Sequence, residues 1–283
     1  MFYQGLPALY YDAFFCELDE AELLFYKQMI ASVPSPGLEI ACGTGRLLLS
    51  LLEAGLSVEG FDSSPEMLAQ CKIKAEKASI KPILYEQAMQ ELSLPKRYGC
   101  IFSALGSFQQ LAHFDDAYAA LKHFYEHLLP GGKLAIYLYL PWYNAPEFGQ
   151  WHEQEPIALQ DGKTLLVTEK ALHDPIEQQL FMTYRYQLKE NGKIIATEEK
   201  DMVIRWYSRH EFQLMLASVG FKDIKVYNGY DDNGPSDVMI FVAGKIPRAE
   251  QWLFDPKNKN MVDELKEAFK QKVDRSIDLS GFE

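Results

Sequence analysis

A glycine-rich turn early in the chain carries the residues best suited to bind a ligand. An apolar run over 38–42 leads into Gly43-Thr44-Gly45, and an amphipathic helical pattern follows the turn. Glycine lets a backbone bend tightly and approach a ligand without a Cβ in the way. Asp62 ends the next apolar run, where its carboxylate can accept hydrogen bonds from both hydroxyls of a ribose. The pattern therefore predicts a cofactor that contains a nucleoside.

On these residues alone the cofactor could be a nicotinamide dinucleotide. Three details favour a different cofactor that also contains a nucleoside. The third glycine of the dinucleotide fingerprint would fall on Leu48, and no basic cradle for phosphates lies nearby. Glu39 lies in the first predicted strand, where its carboxylate can support an ammonium group. These details indicate a cofactor that carries an amino acid rather than a pyrophosphate.

Several further motifs resemble those of class I S-adenosylmethionine-dependent methyltransferases. Residues 38–46 resemble motif I of that family, residues 100–111 resemble its motif after the fourth strand, and residues 129–134 resemble the turn before its fifth strand. The resemblance covers about 38–140 and resumes at 208–244. It implies S-adenosyl-L-methionine as the cofactor.

The resemblance also implies which residues bind that cofactor. Asp62 would hold the ribose, and Met67 would lie beneath the adenine. Many relatives carry Asp where this chain has Ala88, so backbone oxygen, water, Gln87 or Gln90 would have to meet the exocyclic amine of adenine. The implied cofactor-binding residues are Glu39, Ala41, Gly43, Thr44, Gly45, Asp62, Ser63, Met67, Gln87, Ala88, Met89, Ser103, Ala104 and Phe108.

Methyl transfer from a sulfonium requires little chemistry from a protein. The methyl group is already activated, so alignment with the acceptor and exclusion of water can carry most of the catalysis. A hydroxyl or ammonium acceptor benefits from a base, and His113 and His152 are the candidate catalytic residues, with a structural role as the alternative for each. Tyr10, Tyr11 and Phe14 are predicted to form a flap over the site or to pack as ordinary aromatic residues.

The acceptor is predicted to be a small molecule. Residues 103–108 lack the Asn/Asp-Pro-Pro-aromatic motif of enzymes that methylate exocyclic amines of bases, and no Pro-Cys nucleophile is present. Tyr11, Tyr143, Tyr184 and Arg205 are the predicted substrate-binding residues. Trp151 and Tyr207 are further candidate walls of the pocket.

No metal site is predicted. His123 and His127 match the His-x-x-Glu-His pattern of one class of zinc peptidase, with both histidines on one face of a helix. A zinc site needs a third protein ligand, and the sequence offers no candidate for it.

Short apolar runs alternate with longer helical patterns between residues 35 and 140, which is typical of a parallel α/β sheet. Further on, residues 180–188 alternate with period two, Asn191-Gly192 favours a two-residue turn, and 194–207 reads as the returning strand. The predicted strands are 38–41, 57–61, 82–85, 99–103, 133–138, 222–227 and 238–243, and the predicted helices are 47–54, 65–77, 115–129 and 211–218.

The predicted fold class is α/β, a Rossmann-like, seven-stranded, mostly parallel sheet with helices on both faces and a small antiparallel β insertion. The predicted domains are an N-terminal helical flap (1–34), a methyltransferase core (35–142 and 208–246), an antiparallel substrate cap (143–207) and a helical tail (247–283). The tail contains an amphipathic pattern at 261–277 that packs on its own core, or serves as a lid or a dimer contact.

Composition narrows the partners and the compartment. Lys and Arg number 28 against 40 Asp and Glu, a formal net charge of −12, and no dense basic block is present. This balance argues against nucleic acid as a partner. No apolar run approaches the ~20 residues of a membrane span, and no secretion signal is visible. The sequence predicts a cytoplasmic monomer or homodimer without a membrane partner, and four reduced, structural cysteines.

The leading prediction is transfer of a methyl group from S-adenosyl-L-methionine to N or O of a small-molecule acceptor. Two alternatives stay open at this stage. One is an NAD-dependent oxidoreductase, and the other is a non-catalytic module that binds S-adenosylmethionine.

Overall fold

The structure, a computed structural model, describes residues 2–15, 17–141, 148–159, 161–234, 236–246 and 263. The chain divides into two units, Met1–Lys245 and Ile246–Glu283, and the elements below belong to the first. Apart from Asp263, the predicted helix at 261–277 lies outside the described residues. Among the described helices, none has both the length and the hydropathy that crossing a membrane would require.

Helices and strands alternate through the first half of the chain, and long strands follow. In chain order the elements are α1 (Leu6–Leu9), α2 (Glu20–Ala31), β1 (Gly37–Ile40), α3 (Arg46–Glu53), β2 (Val58–Asp62), α4 (Pro65–Lys77), β3 (Leu84–Glu86), β4 (Tyr98–Ser103), α5 (Phe114–His127), β5 (Leu128–Tyr139), β6 (Trp151–Glu153), β7 (Ile157–Ala158), β8 (Thr164–Asp174), β9 (Gln179–Glu190), β10 (Lys193–Arg205), α6 (Arg209–Val219), β11 (Lys222–Tyr227) and β12 (Val238–Gly244). Short 3₁₀ helices lie at Tyr11–Ala13, Met89–Glu91 and Ser107–Gln110.

The main sheet has seven strands in the order β11-β12-β5-β4-β1-β2-β3. Strands β1 to β5 run parallel to one another. Strand β12 is antiparallel to both β5 and β11. The predicted mostly parallel sheet is therefore confirmed. The strand order reverses beside β1, and in open α/β sheets ligands bind outside the carboxyl ends of the strands at this point.

Both faces of the sheet are covered by helices, so β1, β2 and β4 are buried along their whole length. One apolar cluster joins the sheet to α5 and α6, and a second joins it to α2, α3 and α4. The predicted helix over 115–129 ends earlier, at His127, because Leu128 already pairs with Tyr98 of β4. These clusters hold the carboxyl ends of the strands in fixed positions.

The helices begin and end at residues suited to those positions. α4 begins after Ser64, whose hydroxyl accepts a hydrogen bond from the Met67 N–H. α6 begins at the predicted capping box of Ser208 and Glu211 and ends at Gly220, which has left-handed backbone. The α4 cap lies directly after the carboxyl end of β2, at the edge of the sheet where ligands bind in folds of this kind.

The insertion forms a separate antiparallel sheet in the order β10-β9-β8-β6, with β7 paired to β8. The predicted turn joins β9 to β10, and Asn191 and Gly192 have φ angles of 50° and 82°, as a two-residue hairpin of this kind needs. One face of this sheet packs Leu165, Val167 and Tyr186 against Leu6 of the N-terminal segment. The insertion thus contacts the beginning of the chain.

Gly60 of β2 is where α3 approaches the sheet most closely. A Cβ at residue 60 would lie 2.7 Å from Leu48 Cδ2 and 2.8 Å from Cys42 Sγ. We therefore expect Gly60→Ala to lower the free energy of unfolding by about 1–3 kcal/mol, measured by urea denaturation. Gly37→Ala in β1 is the control, because its Cβ would meet its nearest neighbours at 3.7 Å. An equal loss in both variants would contradict this account.

Candidate cofactor and acceptor site

The predicted glycine turn connects β1 to α3 at the carboxyl edge of the sheet. Ala41, Gly43 and Gly45 all have left-handed φ angles, of 52°, 55° and 80°. A Cβ at residue 43 would lie 3.1 Å from the Met67 Cε, and one at residue 45 would lie 2.6 Å from the Cys71 Sγ. The turn therefore requires glycine both for its backbone angles and for its close packing on α4.

Asp62 ends β2 directly beside this turn and is 8% exposed. Its Oδ2 accepts a hydrogen bond from the Gly43 N–H at 2.9 Å, and its Oδ1 accepts one from the Ser64 N–H at 2.8 Å. Burial raises the pKa of the carboxyl, and these backbone hydrogen bonds oppose the rise. Each carboxylate oxygen can accept a second hydrogen bond, so the predicted ribose contact is sterically and chemically possible here.

Glu39 lies in β1 with 4% of its surface exposed, and its Oε2 has no hydrogen-bond partner among the described residues. Burial is the main reason why the pKa of this carboxyl lies well above its usual range, and only the charge of Arg46 opposes the rise. Arg46 is itself held by Glu22 through two 2.7 Å hydrogen bonds. A buried carboxylate with one oxygen still available as an acceptor suits the ammonium group of S-adenosylmethionine.

The residues predicted around the adenine are partly engaged elsewhere. The side-chain amide of Gln87 donates to the Ser93 carbonyl at 3.0 Å and accepts from the Ser93 N–H at 2.8 Å. Met67 is 2% exposed at the start of α4. The remaining predicted positions divide by burial, with Ser103 and Ala104 buried, Ala88 and Met89 half-buried, and Ser63 exposed. Gln87 thus closes its own loop, which leaves backbone oxygen, water or Gln90 as the predicted partners of the adenine amine.

Phe108, also predicted to bind the cofactor, lies in the core. Its ring is fully buried and packs edge-on against Phe212 at 5.4 Å and Phe124 at 6.4 Å. Tyr207, a predicted pocket wall, is fully buried beside it at 6.0 Å. Both residues belong to the apolar cluster that joins the sheet to α5 and α6.

The N-terminal segment, residues 2–15, lies across the glycine turn. Thr44 Oγ1 donates a hydrogen bond to Asp12 Oδ1 at 2.6 Å, and Lys74 of α4 forms a salt bridge with Asp12 at 2.8 Å. Further along, the Ser64 hydroxyl donates to the Tyr3 carbonyl at 2.6 Å. The sequence predicted an aromatic flap here, but it offered no signal for these polar contacts.

The same segment also contacts the insertion. The Gly5 N–H donates to Glu66 of α4 at 2.7 Å, and the Leu6 N–H donates to Glu198 of β10 at 3.2 Å. Tyr10 and Phe14 pack against the apolar face of the insertion sheet. Residues 2–15 therefore connect the carboxyl edge of the main sheet with the insertion.

Five tyrosines meet where these parts converge, and we call them the tyrosine cluster: Tyr3, Tyr11, Tyr139, Tyr184 and Tyr186. Burial raises the pKa of Tyr11 to about 12, Asp62, Asp12 and Glu39 add to the rise, and Arg46 opposes it. The Tyr11 phenol therefore lies near the residues predicted to hold the cofactor. Sequence reasoning found Tyr11 and Tyr184 but missed the other three, which come from distant parts of the chain.

Two cavities adjoin Tyr11 and its neighbours. The smaller, of about 120 Å³, is lined by Tyr3, Tyr11, Tyr184 and Tyr186 of the tyrosine cluster, together with Gln154 and Met202 among others. The larger, of about 600 Å³, lies beside Arg46, Glu22 and Leu105. Phe14 and Phe15 line both. The arrangement can place an acceptor next to a cofactor held by β1 and β2.

The candidate histidines and Trp151 lie in different surroundings. His113 is exposed at the N-terminus of α5, where its side chain makes no capping hydrogen bond. His152 is half-buried on β6, and Trp151 on the opposite face of that strand packs under Arg185 at 4.6 Å. Tyr143 lies outside the described residues.

His127 uses both ring nitrogens within the protein. Its Nε2 accepts a hydrogen bond from the Leu94 N–H at 3.0 Å, and its Nδ1 lies 2.8 Å from the His123 carbonyl oxygen. Within the part of the chain that the structure describes, no group of three or more His, Cys, Asp or Glu side chains is arranged to hold a metal ion.

Arg205, predicted to bind the acceptor, has its guanidinium engaged at the joint between the insertion and the core. It donates to the Glu177 carbonyl at 2.8 Å, to Gln178 Oε1 at 2.8 Å and to Glu211 Oε1 at 3.2 Å. Its side chain is 11% exposed. These bonds tie the turn between β8 and β9 to the start of α6, and we therefore expect a structural role.

Arg205→Ala should lower the free energy of unfolding by about 1.5–3 kcal/mol, because hydrogen bonds to a charged, largely buried group are lost. Urea denaturation measures the loss. Arg185→Ala is the control, since its salt bridge with Glu199 lies on the surface and should contribute less than about 1 kcal/mol. Unchanged stability combined with weakened acceptor binding would instead support the prediction that Arg205 binds the acceptor.

Comparison with known proteins agrees with this geometry. A family model described as a methyltransferase domain matches residues 38–132. The chain is 25% identical over 186 residues to the dTDP-3-amino-3,6-dideoxy-alpha-D-glucopyranose N,N-dimethyltransferase of Streptomyces fradiae, covering 65% of this chain and 68% of that one. It is 22% identical over 206 residues to the dTDP-3-amino-3,4,6-trideoxy-alpha-D-glucopyranose N,N-dimethyltransferase of Streptomyces venezuelae, covering 73% and 81%.

Among solved structures, the CcbJ methyltransferase of Streptomyces caelestis has the same fold, with a TM-score of 0.69 and 22% identity over 87% of this chain and 99% of that one. The predicted cofactor is confirmed by these matches, and the nicotinamide alternative is set aside. The glycine turn, the acidic residue after β2, the strand order and the matches agree: residues 38–132 match a methyltransferase domain, and the chain is an S-adenosylmethionine-dependent methyltransferase with the class I fold.

Proposed function

We propose that this methyltransferase transfers its methyl group to the amino nitrogen of a small, sugar-like molecule. The observation that carries this proposal is the tyrosine cluster, four members of which line a small cavity next to the residues predicted to hold the cofactor. The two Streptomyces relatives, whose names describe N,N-dimethyltransferases of dTDP-linked 3-amino sugars, support an amine acceptor.

The cofactor-binding roles follow from the strand ends. We assign Asp62 to the ribose hydroxyls and Glu39 to the ammonium group, because the first carboxylate borders the turn and the Oε2 of the second is buried without a hydrogen-bond partner among the described residues. The left-handed turn at Gly43 and Gly45 lets the backbone approach the ligand. When bound, S-adenosylmethionine supplies a methyl group that is already activated as a sulfonium.

The chain's own contribution is to exclude water and to orient the acceptor. Residues 2–15 cover the glycine turn through the Asp12 contacts with Thr44 and Lys74. Burial raises the pKa of Tyr139 to about 12 and that of Tyr11 to about 12, so these phenols stay neutral near pH 7 and can donate or accept hydrogen bonds. Their ring faces also attract cations such as an ammonium group.

We assign the remaining roles from position and charge. Of the two candidate histidines, His152 is the better placed to act near the acceptor, because it lies on the same insertion sheet as Tyr184, whereas His113 is exposed at the start of α5. We also propose a cytoplasmic site of action, as a monomer or homodimer. The net charge of −12 supports an acceptor other than nucleic acid.

The test pairs amine and hydroxyl acceptors. Purified protein is incubated with S-adenosylmethionine and either 3-amino-3-deoxyglucose or glucose, and either dTDP-3-amino-3,6-dideoxyglucose or dTDP-6-deoxyglucose. We expect release of S-adenosylhomocysteine, and a methylated product by mass spectrometry, only with the amine of each pair. Methylation of hydroxyl acceptors alone would indicate an O-methyltransferase. Binding of S-adenosylmethionine without turnover of any acceptor would favour a non-catalytic module.

A further inference from the structure

One row of side chains crosses the insertion sheet at a single level. His152 of β6 is directly opposite Glu169 of β8, Glu169 is opposite Tyr184 of β9, and Tyr184 is opposite Lys200 of β10. Directly opposed residues of antiparallel strands project from the same face of a sheet. All four side chains therefore share one face.

This face is the one that meets the tyrosine cluster. The Tyr184 ring lies 5.4 Å from the Phe2 ring of the N-terminal segment, and it lines the smaller cavity with Tyr3 and Tyr11. The other face carries the exposed salt bridge between Arg185 and Glu199. Glu169 shares this face with Val167 and Tyr184, which line the smaller cavity, so its carboxylate lies at the edge of the proposed acceptor site.

Glu169 differs from Glu198 and Glu199 of β10 in its salt bridges. Lys200 lies 3.5 Å from Glu198, and Glu198 also accepts the Leu6 N–H. Of the Lys and Arg residues that the structure describes, none forms a salt bridge with Glu169. Glu169 is half-buried and interacts with the phenols of Tyr184 and Tyr186, and His152 lies directly opposite it on β6.

The two phenols respond to that carboxylate. Burial first, and then the charge of Glu169, raise the pKa of Tyr184 and of Tyr186 well above the usual range. Both therefore remain neutral hydroxyls. The Tyr184 hydroxyl donates to the Met182 Sδ at 3.3 Å, and a thioether is a weak acceptor. A carboxylate flanked by aromatic rings is the environment that binds an ammonium or amine group.

We propose that Glu169 binds the amino group of the acceptor, with Tyr184 as its neighbour in that contact. This inference rests on the proposed function. The nitrogen lone pair forms the new bond to the methyl carbon as the carbon–sulfur bond breaks, and sulfur keeps that electron pair. The nitrogen then carries one proton too many, and the Glu169 carboxylate accepts this proton and passes it to water. Glu169 thus selects a nitrogen acceptor and removes its surplus proton.

The experiment compares Glu169→Gln with a matched control on the opposite face, Glu199→Gln. Steady-state kinetics use 3-amino-3-deoxyglucose and dTDP-3-amino-3,6-dideoxyglucose as acceptors. Calorimetry measures binding of the same amines to protein saturated with S-adenosylhomocysteine, which gives a readout without turnover. We expect Glu169→Gln to raise the KM and the Kd of the better amine by about ten- to a hundredfold.

Three further results are expected if Glu169 acts on the acceptor. Glu199→Gln should match the wild-type protein, Glu169→Asp should recover part of the loss, and the Kd of S-adenosylhomocysteine should be the same in all variants. Equal amine binding by Glu169→Gln and wild type would overturn the inference and leave the proposed function intact. So would an equal loss in both glutamine variants, or a loss of S-adenosylhomocysteine binding. If the wild-type protein methylates neither amine, the proposed function fails and the inference falls with it.

Discussion

Asp62→Ala is expected to weaken S-adenosylmethionine binding by about ten- to a hundredfold, because hydrogen bonds to a charged group contribute about 1.5–3 kcal/mol. The carboxylate also accepts the N–H groups of Gly43 and Ser64, so alanine removes a support of the glycine turn as well as the proposed ribose contact. Isothermal titration calorimetry measures the change in Kd.

The control for this variant is Asp174→Ala. Asp174 is also a carboxylate that accepts backbone N–H groups, from Ile176 and Glu177 in the turn after β8. Its replacement should leave the Kd of S-adenosylmethionine unchanged. If Asp62→Ala binds the cofactor as tightly as Asp174→Ala does, the ribose assignment is wrong.

Glu39→Gln is expected to stabilise the protein and to weaken its cofactor binding by about tenfold or more. Burial holds the pKa of Glu39 well above its usual range, so its folded-state pKa exceeds its unfolded-state pKa. For a carboxyl this means that the folded state loses stability as pH rises above the unfolded value of about 4.3. Glutamine removes that loss, and the gain in melting temperature without cofactor should be small at pH 4 and larger at pH 7.

Cofactor binding should show the opposite dependence in the wild-type protein. An ammonium group favours the charged form of Glu39, so binding releases a proton and tightens as pH rises towards neutrality. In Glu39→Gln this part of the pH dependence should disappear. Differential scanning fluorimetry with and without S-adenosylmethionine, repeated across pH, measures both effects.

Glu59→Gln is the matched control, since Glu59 is equally buried, at 4% exposure, but fully engaged. It accepts hydrogen bonds from Tyr85 and Tyr98 and pairs with Lys96. Its replacement should destabilise the fold and leave cofactor affinity unchanged. A destabilised Glu39→Gln protein with normal cofactor affinity would mean that Glu39 has only a structural role.

The order of the helices and strands could be predicted from the sequence, because the residues that determine each element are close together in the chain. Gly43 and Gly45 adopt the left-handed angles that only glycine tolerates freely, and the Ser208 capping box and the Asn191-Gly192 turn act within a few residues. Each of these features depends only on residues that are close together in the chain, so it can be predicted without knowledge of the tertiary structure. Asp62 was identified in the same way, from its position at the end of β2.

Which side chains are available to bind a ligand could not be predicted in this way, because it depends on neighbours from distant parts of the chain. Gln87 and Arg205 have the right chemistry for ligands, but Ser93 occupies the first and the joint with α6 occupies the second. Phe108 lies in a motif that resembles a cofactor site, yet its ring is fully buried in the core. Which polar groups are already satisfied is a property of packing, not of pattern.

The sequence by itself therefore determined the parallel sheet, its glycine turn, the acidic residue after β2 and the class of cofactor, all of which follow from short-range spacing. Only the tertiary structure decided what covers that site. The contact of Asp12 with Thr44 and the meeting of Tyr3, Tyr139 and Tyr186 join segments that are far apart in the chain. The position of Glu169 beside Tyr184 also depends on the tertiary structure, because strand register determines which side chains share a face of a sheet.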